Sequence, residues 1–199
     1  MTTSGGYVRL ADHNLRRVAD LLAAGVVRPA VGGAHPVLHT AGAPADPGDP
    51  DILRLAADLV ATMRVSPGCV GLAAPQVGVS VQVLTVDVSG HPQARTSHGT
   101  VVLCNARLVA ASRWHKRREG CLSVPDRTGD VRRAGRVVVA GQLPGSGAEI
   151  ELAADGLEAR ALQHEIDHCA GLLFLDRVDG IHAVHPRREP SRDGCRSAG

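Results

Sequence analysis

The sequence predicts a single α+β domain in which antiparallel β-sheets surround a central helix at about residues 156–170, with further helices near the N-terminus. Three observations support this fold class. The chain has 199 residues, enough for one hydrophobic core. Helical periodicity in its first third gives way to short β-branched segments, and a strongly marked helix follows them. Strands grouped between helices, without repeats, favour antiparallel pairing over alternating parallel units.

Composition excludes several classes of function. Aromatic residues make up only 2% of the chain, so there is no stacking platform for single-stranded nucleic acid. The net charge of +2 gives no general attraction to nucleic acid or to anionic membranes. Five cysteines without a C-x-x-C pair indicate a reducing compartment. With neither a signal peptide nor a membrane-spanning apolar run, we expect a soluble, cytoplasmic protein.

The chain is predicted to have three parts. Residues 1–30 are an N-terminal extension that is partly helical, because Arg9–Ala24 carries apolar residues at helical spacing. Residues 31–180 are the main domain. Residues 181–199 are rich in arginine, with few apolar residues, and are expected to be a flexible basic tail.

The main domain opens with an extended loop up to Pro50 and a helix over Asp51–Met63, where apolar residues recur at steps of three and four. Segments of β-branched residues follow, separated by glycine-containing turns. The predicted strands are Val77–Val88, Thr100–Leu103, Val131–Ala140 and Ala148–Leu152.

The last predicted helix has both ends marked in the sequence. Asp155 is a good N-cap, and Glu158 stands where a capping box places its carboxylate. Gly171 can adopt the left-handed conformation that ends a helix. The pattern therefore predicts the helix at about residues 156–170.

On this helix His164 and His168 lie one turn apart on one face, the spacing of the H-E-x-x-H motif. Two such imidazoles can bind one metal ion, and Glu165 can reach water on that ion without being a ligand. The alternative is a pair of core histidines that hydrogen-bond to their neighbours. Gln163 and Asp167 either orient these groups or face solvent.

A catalytic site on two histidines needs a third protein ligand and an open coordination position. Cys121 is the best candidate, because Gly120 lets backbone approach closely and Pro125 ends the segment. Its alternative role is that of a small buried hydrophobic residue. Small residues also lead up to Gln76, whose amide both donates and accepts hydrogen bonds. The alternative there is a tight turn with an exposed glutamine.

Three runs of residues, in this order and at these separations, resemble the signatures of the peptide deformylase family. The runs are Cys69-Val70-Gly71-Leu72-Ala73-Ala74-Pro75-Gln76, Glu119-Gly120-Cys121-Leu122-Ser123 and Gln163-His164-Glu165-Ile166-Asp167-His168. The resemblance spans about His35 to Val178 and marks residues 31–180 as a catalytic domain. It implies an α+β fold in which antiparallel sheet encloses the metal helix.

The resemblance implies a metal-dependent hydrolase that removes the N-formyl group from N-formylmethionyl nascent polypeptides and releases formate. The implied metal ligands are Cys121, His164 and His168. The implied catalytic groups are Glu165 as general base, and Gln76 with the backbone N–H of Leu122 as donors to the oxyanion. The implied peptide-binding residues, which offer backbone groups, are Val70, Gly71 and Gly120.

The implied cofactor is one divalent metal ion. A thiolate beside two imidazoles gives a softer ligand set than three histidines, so Fe²⁺, as the resemblance implies, is the expected native metal. Zn²⁺, Ni²⁺ or Co²⁺ can substitute, and activity with iron should be lost in air. The implied partners are formylated nascent chains, with transient proximity to the ribosome but no long C-terminal helix for docking. We expect no membrane partner and no specific nucleic acid.

Three features depart from the family pattern. Cys69 stands where glycine is usual, and we hypothesise that its oxidation, alone or together with Cys121, inactivates the enzyme. Cys169 stands where an aliphatic residue is usual and is expected to pack in the core. The basic run His115–Arg118 is interpreted as a solvated strand end, and the alternative is a surface that favours acidic or RNA-bound surroundings.

Two other functions remain open on the sequence. H-E-x-x-H alone also serves zinc peptidases that cut internal bonds, although Cys121 and Gln76 argue against that class. The second is a binding protein with a structural metal, which would have a closed coordination shell or lack the base. Glu165 is present and argues against it.

Overall fold

The computed structural model of the protein describes residues 24–187. The helix predicted over Arg9–Ala24, apart from its last residue, and the end of the predicted tail, residues 188–199, lie outside the described residues. Between residues 24 and 187, no helix combines the length and the apolar character needed to cross a lipid bilayer.

The described part contains two α-helices, six β-strands and four short 3-10 helices. The α-helices are α1 (Pro50–Val65) and α2 (Gly156–Cys169). The strands are β1 (Gly71–Ala73), β2 (Val83–Val86), β3 (Val101–Cys121), β4 (Val124–Gln142), β5 (Glu149–Asp155) and β6 (Val184–Pro186). The 3-10 helices are Pro36–His39, Ala74–Val77, Phe174–Arg177 and Ile181–Ala183.

All six strands belong to one antiparallel sheet. Its order is β1-β2-β3-β4-β5, and β6 pairs with the N-terminal end of β4. β3 and β4 form a long hairpin that is paired from Cys104 and Gln142 to Cys121 and Val124. The predicted single-domain α+β class with antiparallel strands is confirmed, but one sheet takes the place of several.

Two predicted strands differ from the observed ones. β2 covers only Val83–Val86, because Val77 ends a 3-10 helix and Gly78, at φ +83°, turns the chain in the left-handed conformation. β3 continues to Cys121, far beyond Leu103, and much of its outer part is exposed. Pairing with β4 supplies the backbone hydrogen bonds there, so the strand needs no apolar sequence. The basic run His115–Arg118 therefore lies within a strand and not at its end.

Helix α1 packs against β1 and β2. Its N-cap is Asp49, whose side chain accepts a hydrogen bond from the Asp51 N–H at 2.8 Å, with Pro50 in the first turn. The predicted helix is thus confirmed, with the cap two residues earlier than Asp51. At the other end the N–H of Ser66 donates to Met63.

Helix α2 is buried on nearly every face and packs against β1, β2, β4 and β5. Gly171, at φ +76°, follows the helix in the left-handed conformation, as predicted. The predicted capping box is wrong. Asp155 makes no capping hydrogen bond because it is still paired in β5, and its carboxylate lies 3.5 Å from Arg136. Glu158 accepts hydrogen bonds from the backbone and ring of His98 instead.

The first residues of the predicted flexible tail are ordered. Ile181–Ala183 forms a 3-10 helix, and Val184–Pro186 pairs with β4. The backbone N–H of Arg187 then donates to the Asp126 carbonyl at 2.9 Å. The prediction fails for residues 181–187 because strand pairing orders a segment that has few apolar side chains.

Candidate metal centre

Cys121, His164 and His168 converge at one point between β3 and α2. All three side chains are buried, and their ligand atoms lie within 4.8 Å of one another. The Nε2 atom of His168 is 3.2 Å from Cys121 Sγ and 3.2 Å from His164 Nε2. Ligand atoms of a tetrahedral site with ordinary bond lengths are about 3.3–3.6 Å apart. The three donors therefore fit one divalent metal ion and leave a coordination position open.

A β-bulge directs Cys121 into this site. Gly120 pairs with Thr128 but Cys121 pairs with Val124, so the register shifts between consecutive residues. The bulge buries the Cys121 side chain while Gly120 stays exposed. Leu122 follows Cys121 at the turn into β4 and lines the same cavity.

The two histidine rings differ in their surroundings. Burial and the neighbouring His164 lower the pKa of His168 well below its ordinary value. The Nδ1 atom of His168 has no hydrogen-bond partner within residues 24–187. Burial also lowers the pKa of His164, but hydrogen bonds to Cys121 and Glu119 outweigh it and raise the pKa to about 10. A metal ion bound at Nε2 would take the place of that ring's second proton, since only neutral imidazole binds metals.

Glu119 orients His164, a role that the sequence motifs did not assign. Its buried carboxylate accepts a hydrogen bond from His164 Nδ1 at 3.1 Å and two from Arg133, at 2.7 and 3.1 Å. Arg160 donates to the same carboxylate. Burial alone would raise the pKa of Glu119, but the bonds from His164 and Arg133 lower it to about 2. The ionised carboxylate holds the proton on Nδ1 and so turns Nε2 toward the other two donors.

One feature of the sequence points to this network. Arg160 lies between Ala159 and Ala161 on the predicted helix, and Arg133 lies within the predicted strand Val131–Ala140. Buried arginines need an anionic partner, and Glu119 stands in the same motif as Cys121. Sequence spacing does not reveal which acid they share, because the partners are 14 and 41 residues away from Glu119.

Gln163 and Asp167 are both buried, so the alternative of solvent exposure is wrong. The Gln163 side chain bonds to the N–H and carbonyl of Ala134 at 3.1 and 2.8 Å. Asp167 accepts hydrogen bonds from Arg133 at 2.8 Å and from Arg177 at 2.7 Å. Both side chains thus attach α2 to its surroundings and do not hydrogen-bond to the three donors.

Glu165 lies beside the metal position with its carboxylate buried. Glu165 is only 3% exposed, and its Oε2 atom has no hydrogen-bond partner within residues 24–187. Burial raises the pKa of this carboxyl to about 7. Gly71 makes room for it, because a Cβ at residue 71 would lie 2.6 Å from Glu165 Oε1. A carboxyl held in this way can accept a proton and return it near neutral pH.

Gln76 has its amide orientation set by its own turn. Its Oε1 accepts a hydrogen bond from the Ala73 N–H at 2.9 Å. The Nε2 donor therefore faces the other way and lies 3.4 Å from Cys121 Sγ. The residue is 1% exposed, so the alternative of a solvent-facing glutamine is wrong. The amide N–H side of Gln76 therefore faces Cys121, and the residue lines the same cavity as the three donors.

A cavity of about 280 Å³ opens onto these groups. Val70, Gly71 and Gly120 all line it, as does Leu122. β1 is the edge strand of the sheet, and Gly120 lies beyond the part of β3 that pairs with β2. An extended peptide could therefore add to either backbone. The Val70 carbonyl already accepts the N–H of Asp87 at 2.9 Å and has one lone pair left.

Cys69 lines the same cavity but is poorly placed for oxidation. Its thiol donates to the Gly71 carbonyl at 3.0 Å, and burial together with the charge of Glu165 raises its pKa to about 11. A protonated thiol reacts slowly, which argues against Cys69 as the residue whose oxidation inactivates the protein. Cys169 is buried, with Sγ 3.7 Å from the Val83 carbonyl, and packs in the core as expected.

Comparison with known proteins places these features in one family. The sequence profile of the polypeptide deformylase family matches residues 27–184. The peptide deformylase of Carboxydothermus hydrogenoformans is 42% identical over 146 residues, which cover 73% of this chain and 90% of the relative.

Solved structures show the same similarity. The class I type b peptide deformylase of Acinetobacter baumannii with bound Met-Ala-Ser superposes with a TM-score of 0.70 at 34% identity, over 77% of this chain and 99% of the other. The peptide deformylase of Thermotoga maritima gives a TM-score of 0.69 at 30% identity, over 78% of this chain and 99% of the other.

Proposed function

The chain belongs to the peptide deformylase family, hydrolases that remove the N-formyl group from nascent peptides, and we propose which of its residues perform that reaction. The observation that carries the proposal is the convergence of three buried metal donors, Cys121, His164 and His168. Glu165 and Gln76 lie beside them and face the same cavity. We assign the removal of the formyl group to this cavity.

The cofactor in this proposal is one divalent metal ion held by Cys121, His164 and His168. The native metal is Fe²⁺, because one thiolate and two imidazoles form a ligand set soft enough for it. Zn²⁺, Ni²⁺ or Co²⁺ can replace it. When bound, the cation lowers the pKa of water and polarises the formyl carbonyl.

The proton transfers in this proposal belong to Glu165. Its carboxylate takes a proton from the attacking water as the new bond to the formyl carbon forms. It then gives this proton to the amine nitrogen as the C–N bond breaks, so formate and a free N-terminus leave. The Nε2 of Gln76 and the N–H of Leu122 donate to the oxyanion between these steps, each lowering the barrier by about 3 kcal/mol.

The substrate in this proposal is an extended N-formylmethionyl peptide. Backbone groups of Val70, Gly71 and Gly120 bind its main chain, and the cavity wall formed by Leu157 and Ala161 receives the methionine side chain. The related enzyme from Acinetobacter baumannii was solved with a bound peptide that begins with methionine, which supports this assignment.

The partners and location in this proposal follow from the substrate. Formylated chains emerge from the ribosome, so the protein meets them in the cytoplasm and only transiently near the ribosome. The free cysteines of residues 24–187, at positions 69, 104, 121 and 169, are consistent with a reducing compartment.

Formate release from formyl-Met-Ala-Ser, measured on protein prepared without oxygen, tests the assignment. We expect turnover by the wild type and a loss of roughly 10²- to 10⁴-fold in Glu165→Gln, with metal content unchanged. Glu151→Gln, which changes an exposed glutamate of β5, is the matched control and should be fully active.

Two outcomes would favour the other functions. Cleavage of an internal bond in unformylated Met-Ala-Ser would identify a peptidase. No formate despite one equivalent of bound metal would identify a binding protein. Full activity of Glu165→Gln would refute the role of Glu165 while leaving the reaction itself in place.

A further inference from the structure

An arginine at the mouth of the cavity belongs to none of the sequence motifs. Arg187 follows β6, and its backbone is held by the hydrogen bond to Asp126. Its guanidinium packs against Gly120. A Cβ added to Gly120 would lie 3.7 Å from Cζ and 3.8 Å from Nη1 of Arg187. Arg187 and Gly120 both line the cavity that contains the metal donors.

The other arginines at or beneath the cavity have anionic partners. Arg118 also lines the mouth, but it pairs with Asp130 at 2.6 Å. The inner acid, Glu119, is shared by Arg133 and Arg160. Each of these cations thus has an anionic partner.

Arg187 differs from them. Within residues 24–187 no carboxylate forms an ion pair with its guanidinium, and the residue is exposed. Asp130, an acid on the neighbouring strand β4, is already bound by Arg118 and lies 3.0 Å from His185. The mouth therefore carries one positive charge that the described chain does not neutralise.

We propose that Arg187 binds the carboxylate side chain of the second or third residue of the formylated peptide, so that the enzyme favours acidic residues there. The inference rests on the proposed function, since it requires the peptide to leave the metal position along Gly120. A chain that leaves along this strand edge carries its next side chains past the guanidinium. A guanidinium binds a carboxylate through two parallel hydrogen bonds, which makes an acidic side chain the matching ligand.

Formate release from a set of C-terminally amidated peptides tests the inference, because the amide removes the competing terminal carboxylate. The reference is formyl-Met-Ala-Ser-amide, and Asp or Lys replaces the second or third residue in turn. For wild type we expect kcat/KM to be roughly fivefold higher with Asp at one of the two positions, through KM, because an exposed ion pair contributes little more. This preference for Asp should become smaller as the salt concentration rises, because salt screens an exposed ion pair.

Variants of Arg187 identify the contact. Arg187→Gln should abolish the preference for Asp, and Arg187→Glu should reverse it in favour of Lys. Arg132→Gln removes the same charge from an exposed site on β4 outside the cavity and should keep the preference. The conservative Arg187→Lys should retain part of it, because the charge remains without the planar fork.

The outcomes separate this inference from the proposed function. No formate from any peptide would refute the deformylase assignment. Turnover of the neutral peptide with equal rates for Asp, Lys and Ala would overturn only the role of Arg187. An Asp preference that persists in Arg187→Gln, or that falls equally in Arg132→Gln, would show that no direct contact exists.

Discussion

The Nδ1 atom of His164 lies 3.1 Å from a carboxylate oxygen of Glu119, and this carboxylate also binds Arg133 and Arg160. One buried acid thus joins β3, β4 and α2 directly beneath the metal position. Glu119 is two residues before Cys121 in the same strand. The strand that carries the thiolate therefore also carries the group that orients one imidazole.

Replacing Glu119 by Gln should weaken both metal binding and the fold. A neutral amide holds the His164 proton more weakly than a carboxylate does, and loss of such an orienting group typically lowers metal affinity roughly 10- to 100-fold. Arg133 and Arg160 also lose their shared charge, which should lower the free energy of unfolding by about 3 kcal/mol. Competition with a metal-binding dye and urea unfolding measure the two effects. Equal metal affinity in variant and wild type would show that Glu119 has no orienting role.

Replacing Gly71 by Ala should displace the carboxylate of Glu165. A Cβ there would stand 2.6 Å from Oε1 and 2.9 Å from Cγ of Glu165. A misplacement of about 1 Å in a catalytic group can reduce kcat roughly 10²-fold, while metal content should stay unchanged. Gly32→Ala is the control, because nothing lies within 4 Å of the position that a methyl group would take at that residue. If Gly71→Ala keeps the wild-type kcat, activity does not depend on this position of the Glu165 carboxylate.

The pair His98 and Glu158 should make stability depend on pH. The hydrogen bond to Glu158 raises the pKa of His98 above 6.5. Protonated His98 therefore contributes fully to the free energy of unfolding below pH 6.5, and this contribution is lost as pH rises through the raised pKa. Burial raises the pKa of Glu158, but its bonds to His98 lower it below 4.5 overall. Its contribution is present above pH 4.5 and is lost as pH falls through the lowered pKa. The pair therefore stabilises the fold most between these two values.

Urea unfolding at pH 5.5 and pH 8.5 checks this dependence. The difference in unfolding free energy between wild type and His98→Gln should be larger at pH 5.5, by up to about 1 kcal/mol, because the pair is partly exposed. His182→Gln, at an exposed position, is the control. A difference that is equal at both pH values would mean that His98 carries no extra proton in the folded state.

Air should inactivate the iron-loaded protein through the metal site and not through Cys69. The Cys69 thiol is protonated near neutral pH because its pKa is raised to about 11. We expect iron-loaded wild type and iron-loaded Cys69→Ser to lose activity with the same half-life in air. Nickel-loaded protein should keep its activity over the same period. A clearly longer half-life of Cys69→Ser would restore the hypothesis that Cys69 is the oxidised residue.

Local spacing explains why much of the site could be predicted. His164, Glu165 and His168 lie on one helix, whose 3.6-residue period determines their relative positions before anything packs against it. Gly71 and Gln76 lie in one short segment whose small residues allow close approach of the backbone. Such relationships depend on the chain within a few residues.

Other features depend on partners far along the chain. Glu158 satisfies the spacing of a capping box, but it binds His98, 60 residues away. In β3, residues 107–118 show no alternation of apolar and polar side chains. They form a strand because their backbone pairs with β4. Arg187 lies in a segment whose composition is typical of a flexible tail, yet pairing of β6 with β4 brings it to Gly120.

The motifs and periodicity of the sequence predicted the α+β class and, to within one residue, the boundaries of α2. The residues proposed as metal donors and as the base were named by the resemblance of three motifs to one family. Three features are determined only by tertiary packing. Glu119 becomes the partner of His164, Asp167 is buried against two arginines, and Arg187 lies at the cavity. The reason is physical: helical and turn geometry follows from neighbouring residues, whereas a buried charge takes as partner whichever opposite charge the folded chain brings within hydrogen-bond distance.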